Sequence, residues 1–191
     1  MTARDDRGFT LVEVVVTMTI LSFVMAIFTG GIIQMYTTAN KNESVTNAQA
    51  QSNILFLRLD REIRYATGIS DPGTLGGDPV VEYLTTNSGT ATCTQLRLTT
   101  SGKQLKRRQW TQGGTPGTWL PIVSSVTGSQ PFTLLAADPT YNFQRLRLRI
   151  TAQAGAGRTA TSTQTDITFT ALNTSLSTSS STVCAEGRTT P

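Results

Sequence analysis

Histidine is absent from all 191 residues of the chain. That single gap removes the commonest general base, the Ser-His and Cys-His nucleophile pairs and the usual zinc ligand. No Ser-x-x-Lys motif and no cluster of acids takes its place, so no catalytic constellation is in view, and the expectation is a non-enzymatic chain without metal or cofactor. Cysteine is almost as scarce. Cys93 and Cys184 are the only two, and neither belongs to a Cys-x-x-Cys pair, which excludes a metal knuckle or a thioredoxin-type motif. In an exported domain the natural reading is a disulfide, which would close a loop of about 90 residues and stabilise by ~4.6 kcal/mol in the chain-entropy model. The alternative is two separate, half-buried thiols. Charge is sparse too, at 15% of residues, with 16 basic against 12 acidic side chains. A net charge of +4 is too small to mark a nucleic-acid protein by bulk alone. From Ala66 onward ten basic residues face six acidic ones, giving +4, so the excess sits outside the first 65 residues.

What the chain does have is one long apolar run. Between Phe9 and Ile33 the only charged side chain is Glu13. A helix of that length rises about 37 Å, enough to cross a hydrocarbon core of ~30 Å. An ionisable group there costs roughly 2.5–3.5 kcal/mol, so Glu13 should have a partner. Met1 to Gly8 form a polar leader with Arg4, Asp5, Asp6 and Arg7 placed before the run, unlike a secretory signal peptide with its small-residue exit after the apolar stretch. Arg4 and Arg7 set the orientation: leader inside the cytoplasmic membrane, remainder outside.

Gly8-Phe9-Thr10-Leu11-Val12-Glu13-Val14 resembles the cleavage and N-methylation motif of type IV pilins and type II secretion pseudopilins. The resemblance implies cleavage after Gly8 by a prepilin peptidase, methylation of the new N-terminus Phe9, and a register role for Glu13 against a neighbouring subunit's terminal amine. It also implies a single-pass membrane protein that passes into a helical fibre, with other pilins, the peptidase/N-methyltransferase, an inner-membrane assembly platform and membrane lipid as partners. The competing reading of Glu13 is an ordinary signal anchor whose acid snorkels to the interface. Gly30-Gly31 near the far end of the run reads as a flexible point or as a small-residue packing contact.

From Gln34 the composition turns polar while Val45, Ala48, Ser52, Leu55, Leu59, Ile63 and Ala66 keep a helical stripe, with Glu43, Arg58, Asp60, Arg61, Glu62 and Arg64 expected to point largely away from it. Leu57 to Ala66 is similar to the end of the long helix in J-class minor pseudopilins. Thr67-Gly68, Asp71-Pro72-Gly73 and Gly76-Gly77-Asp78-Pro79 read as a helix stop and connecting loop. Beyond it the period becomes two, with strands expected at 80–86, 94–100, 104–110, 118–124, 143–152 and 166–173. Ser101-Gly102-Lys103 marks a hairpin turn, and Ala154-Gly155-Ala156-Gly157 opens a longer one. The expected organisation is a leader (1–8), a transmembrane half-helix (9–33), an amphipathic half-helix (34–66) and a β-rich extracytoplasmic domain (67–191). The fold class is α+β, a long N-terminal helix packed on an antiparallel sheet, which the resemblance makes the pilin lollipop.

Two basic clusters remain. Arg145, Arg147 and Arg149 share one face of a strand, and Lys106, Arg107 and Arg108 lie on another, with Trp110 and Trp119 near in sequence. Together they would make a surface for DNA or another anionic ligand. Apart, they are a solubilising outer face. The Ser/Thr-rich tail from Asn173 to Thr182 is too polar for a core of its own and is expected to lie over the surface, pinned if Cys184 bonds Cys93.

Overall fold

The computed structural model describes residues 10–86, 89–154 and 161–189. The chain divides into two compact units, Met1–Glu43 and Ser44–Pro191. The fold is α+β: among the described residues helix α1 (Leu11–Arg64) precedes ten strands, arranged as antiparallel sheets.

In the first unit α1 is entirely solvent-accessible. Leu11 to Glu43 is a stretch of 33 residues, long and apolar enough to cross a membrane, and none of it is buried within the protein. Three hydroxyls along it bond within the helix: Thr17 donates to Val14 O, Thr19 to Val15 O and Ser22 to Met18 O, at 2.8–2.9 Å. Bonding back to the preceding turn is what lets a hydroxyl sit in hydrocarbon without water. The helix continues through Gly30-Gly31, and no atom beyond the helix's own backbone lies within 4 Å of where a Cβ would stand on either.

The second unit begins on the last turns of α1. Leu55, Leu59 and Ile63, four residues apart, are buried, and Ala66 extends the line. The side chains of Val45, Ala48 and Ser52 lie outside the described residues. The first sheet contains β1 (Ala66–Ile69), β2 (Gly73–Leu75), β3 (Asp78–Thr85), β4 (Thr92–Thr99), β5 (Gln104–Thr111) and β6 (Leu120–Ser124). Its order is β1-β3-β4-β5-β6, with β2 also on β3. The second contains β7 (Val126–Thr127), β8 (Phe132–Leu135), β9 (Arg145–Ala154) and β10 (Thr161–Thr170), in the order β10-β9-β7 with β8 also on β9. The stripe of α1 meets Val81 and Tyr83 from β3, Leu96 and Leu98 from β4, and Leu146, Leu148, Ile150 and Phe169 from β9 and β10 in one apolar core.

Each of the expected strands is present, with shifted ends. The Thr67-Gly68 stop is itself strand β1, and Gly73 opens β2. The segment expected to be a connecting loop is partly sheet, because Gly76 (φ +59°) and Gly77 (φ +85°) make a two-residue hairpin that folds β2 back on β3. Ser101-Gly102-Lys103 turns between β4 and β5 as expected, with Lys103 at φ +47°. The expected longer hairpin loop at 154–157 falls outside the described residues beyond Ala154. One acid departs from expectation. Glu62 does not point away but reaches onto the sheet, accepting from Tyr83 Oη at 2.6 Å and from Arg107 Nη2 at 2.9 Å. Burial and the Glu62 charge push the Tyr83 phenol far above its ordinary pKa, so it remains the proton donor. Arg58–Glu62 and Asp60–Arg64 are the intrahelical ion pairs that the spacing of this face favours.

Candidate functional site

Gly8 and Phe9 lie outside the described residues; the site becomes visible at Thr10. Thr10 Oγ1 accepts the backbone N–H of Glu13 at 3.3 Å, which makes Thr10 the N-cap of α1 and Glu13 the third helical residue. Thr10-Leu11-Val12-Glu13 is therefore a capping-box sequence, and an acid in the first turn also complements the positive end of the helix dipole. Local helix chemistry thus gives Glu13 one reason to be where it is. Around it the apolar side chains of Leu11, Val12, Val14, Val15 and Val16 are exposed, presenting a surface that water does not favour.

The two basic clusters do not form one face. Lys106, Arg107 and Arg108 are on β5 of the first sheet, and Arg145, Arg147 and Arg149 are on β9 of the second. Arg107 and Arg108 point to opposite faces of β5 and both are buried: Arg107 pairs with Glu62, while Arg108 donates to Gln95 Oε1 and to Gly187 O, each at 2.7 Å. The Arg108 guanidinium also stacks over Trp119, 4.2 Å from the ring centroid. Only Lys106 of that trio keeps an open flank. On β9, Arg145 stacks over Tyr141 and faces Asp138, and Arg147 and Arg149 both bond Asp166. The expected joint anionic-ligand surface needs six free cations, and most of these are already engaged by acids and carbonyls of the same chain.

What the sequence reading missed is a clamp at the C-terminus. The strand register places Glu82 opposite Gln95 and Gln95 opposite Arg108, so three polar side chains form one row across β3, β4 and β5. The adjacent row contains Leu84, Cys93 and Trp110. A single 3-10 turn, Ala185–Arg188, lies over both rows. Cys184 bonds Cys93, with Cα atoms 5.8 Å apart. Glu186 accepts from Trp110 Nε1 and from the Gly113 N–H, both at 2.9 Å. Gly187 O receives Gln95 and Arg108, and a Cβ at Gly187 would stand 2.7 Å from the Trp110 ring. Arg188 then reaches Glu82, which is fully buried and also accepts from Ser70 Oγ and Gln95 Nε2. Arg188 donates to Asp71 O as well. The Ser/Thr tail leading into this turn is likewise anchored rather than merely laid on the surface: buried Gln144 donates to Thr178 O and Ser180 Oγ.

Among the described residues Cys93, Cys184 and Glu186 are the one grouping with metal-ligand atoms close together, but both sulfurs are spent in the disulfide. Three carboxylates are held below their ordinary pKa. For Asp166 the hydrogen bonds from Arg147 are the main cause, bringing it to about 2. For Asp78 and Glu186 burial alone would raise the value, but it is outweighed at Asp78 by Thr100 and Arg97 and at Glu186 by Trp110 and the Gly113 N–H. A depressed carboxylate stabilises the fold above its unfolded pKa, near 4, and that contribution disappears as pH falls through the lower folded value. Thermal unfolding of the full chain in detergent is therefore expected to be flat from pH 7 to about 5 and to decline below about 4. Asp166→Asn with Glu186→Gln should flatten the decline; an unchanged acid limb would place the sensitivity elsewhere.

Residues 3–29 match the family model of the prokaryotic N-terminal methylation motif. No curated protein and no solved structure matches the chain. The match covers the leader from Ala3, the Gly8-Phe9 junction, Glu13 and most of the apolar run, and stops well short of the sheets.

Proposed function

We propose that the chain is a non-enzymatic fibre subunit of the type IV pilin and type II secretion pseudopilin kind. The leader is removed between Gly8 and Phe9 by a prepilin peptidase, Phe9 is methylated, and the apolar half of α1 moves from the bilayer into a helical bundle of like subunits. The carrying observation is the methylation-motif match over residues 3–29 joined to an apolar helix that its own protein leaves uncovered. Its partners in this role are the peptidase, an inner-membrane assembly platform, lipid and neighbouring pilins. The similarity of Leu57 to Ala66 with J-class helices inclines the assignment toward an initiating minor subunit.

Glu13 acts at the second stage. In a bundle core a carboxylate is tolerable only when paired, and the methylated amine of an adjacent Phe9 is the cation that processing creates. Glu13→Ala should leave insertion intact and lower incorporation into fibres. Normal incorporation of that variant would remove the register role.

Co-expression with a prepilin peptidase tests the whole assignment by intact mass. The expected product lacks the eight residues Met1–Gly8 and carries one additional methyl group. Gly8→Leu should abolish cleavage, and a cleaved Leu variant would overturn the assignment.

A further inference from the structure

The second sheet ends in an unprotected edge. β10 pairs with β9 along its whole length, from Thr161 opposite Ala154 to Thr170 opposite Arg145, and among the described residues it pairs with no other strand. One row of its backbone N–H and C=O groups therefore faces away from the sheet. The other edges are short or obstructed. β6 has five residues and contains Pro121. β1 has four, and the tail passes close by, with Val183 Cγ2 3.0 Å from where a Gly68 Cβ would stand. β2, β7 and β8 have three, two and four residues. β10 has ten, with neither proline nor lysine, the residues that commonly keep an edge from recruiting another chain.

Both faces beside that edge are incomplete. The register puts Thr163, Thr165, Ile167 and Phe169 on the core side. Phe169 is buried, Ile167 and Thr165 are half-buried and Thr163 is exposed, so the core thins along the strand. On the outer side Arg147 holds Asp166 with two bonds of 2.7 and 2.6 Å, and Arg149 reaches the same carboxylate at 3.0 Å. Two guanidiniums share one acid, and the arginine side chains are 41% and 49% exposed. The outer face at this edge thus carries an excess positive charge.

We propose that the free edge of β10 is a strand-addition site for an extended segment of a different protein, apolar at the alternate positions facing the core and acidic at the outward positions beside Asp166, where the guanidiniums of Arg147 and Arg149 reach across from β9. Backbone hydrogen bonds supply the docking, and the alternating side chains supply the selectivity. A second copy of β10 fits less well, because it brings the same two arginines to one aspartate and doubles the excess charge. This inference is independent of the fate of the N-terminal helix.

The test uses the full chain in nanodiscs and a fluorescent decapeptide of alternating valine and glutamate. Its counterparts are a valine–lysine peptide and a valine–glutamate peptide N-methylated at alternate amides. The glutamate peptide should bind at least about tenfold tighter than the lysine one, because like-charge juxtaposition disfavours the wrong partner. Its binding should slow hydrogen exchange at the backbone amides of β10, and the N-methylated peptide should fail to bind. Arg149→Glu, an exposed change, should narrow or reverse the preference. Equal binding of the lysine peptide, glutamate binding without protection of β10, or self-association through β10 that the glutamate peptide does not displace would each overturn the proposal.

Discussion

Replacing Cys93 and Cys184 together by alanine is expected to lower the unfolding free energy by about 4–5 kcal/mol, the loop-closure value for a crosslink of this span. The separation is 91 residues, and both cysteines are buried against Trp110 and Val183. Set against the 5–15 kcal/mol typical of a whole domain, that is a large share of the total. Urea unfolding of the full chain, followed through tryptophan fluorescence, measures it directly. A loss below about 1 kcal/mol would mean that the hydrogen bonds of the 3-10 turn close the loop nearly as well without the covalent link.

Arg188→Ala should have a comparable effect by a different route. It strips the cation from Glu82, a carboxylate with no accessible surface, and leaves it with neutral donors from Ser70 and Gln95. Breaking a buried pair from one side costs about 3–5 kcal/mol. Arg188 is itself 34% exposed, so water entering its place holds the loss toward the lower end. Glu82→Gln combined with Arg188→Met should recover more than half of it, since the penalty lies in the orphaned charge. Because Arg188 and the disulfide hold the same turn, removing both should cost less than the sum of the two losses. Strict additivity would show that they act on separate parts of the domain.

The helix was readable because its stripe, Leu55-Leu59-Ile63, has one period and one partner surface. The motif at Gly8 to Glu13 was readable because its signal is local in sequence. β1 was not: Ala66-Thr67-Gly68-Ile69 follows a helix without a break, and only pairing with Leu84 and Tyr83 makes it a strand. The disulfide could be named from two cysteines and an exported domain, but the clamp around it could not. Glu82 alternates like any solvent-facing strand residue, and Arg188 stands more than 100 positions away in a polar tail. Similarly, three arginines on β9 read as an open basic face because Asp166 lies across the hairpin, where sequence spacing gives no warning.

The Cys93–Cys184 link also sets how the domain carries mechanical load. Strands β5 to β10 all lie inside the covalent loop, while α1 and β1 to β3 lie outside it. Tension applied between α1 and the turn at 185–188 passes through β1 to β3 to Cys93 at the start of β4, crosses the sulfurs, and reaches the turn held by Arg188. At ~3.4 Å per extended residue, about 300 Å of contour is withheld from stretching. A domain pulled from its helix can therefore yield in its first strands and still keep most of its sheet structure folded.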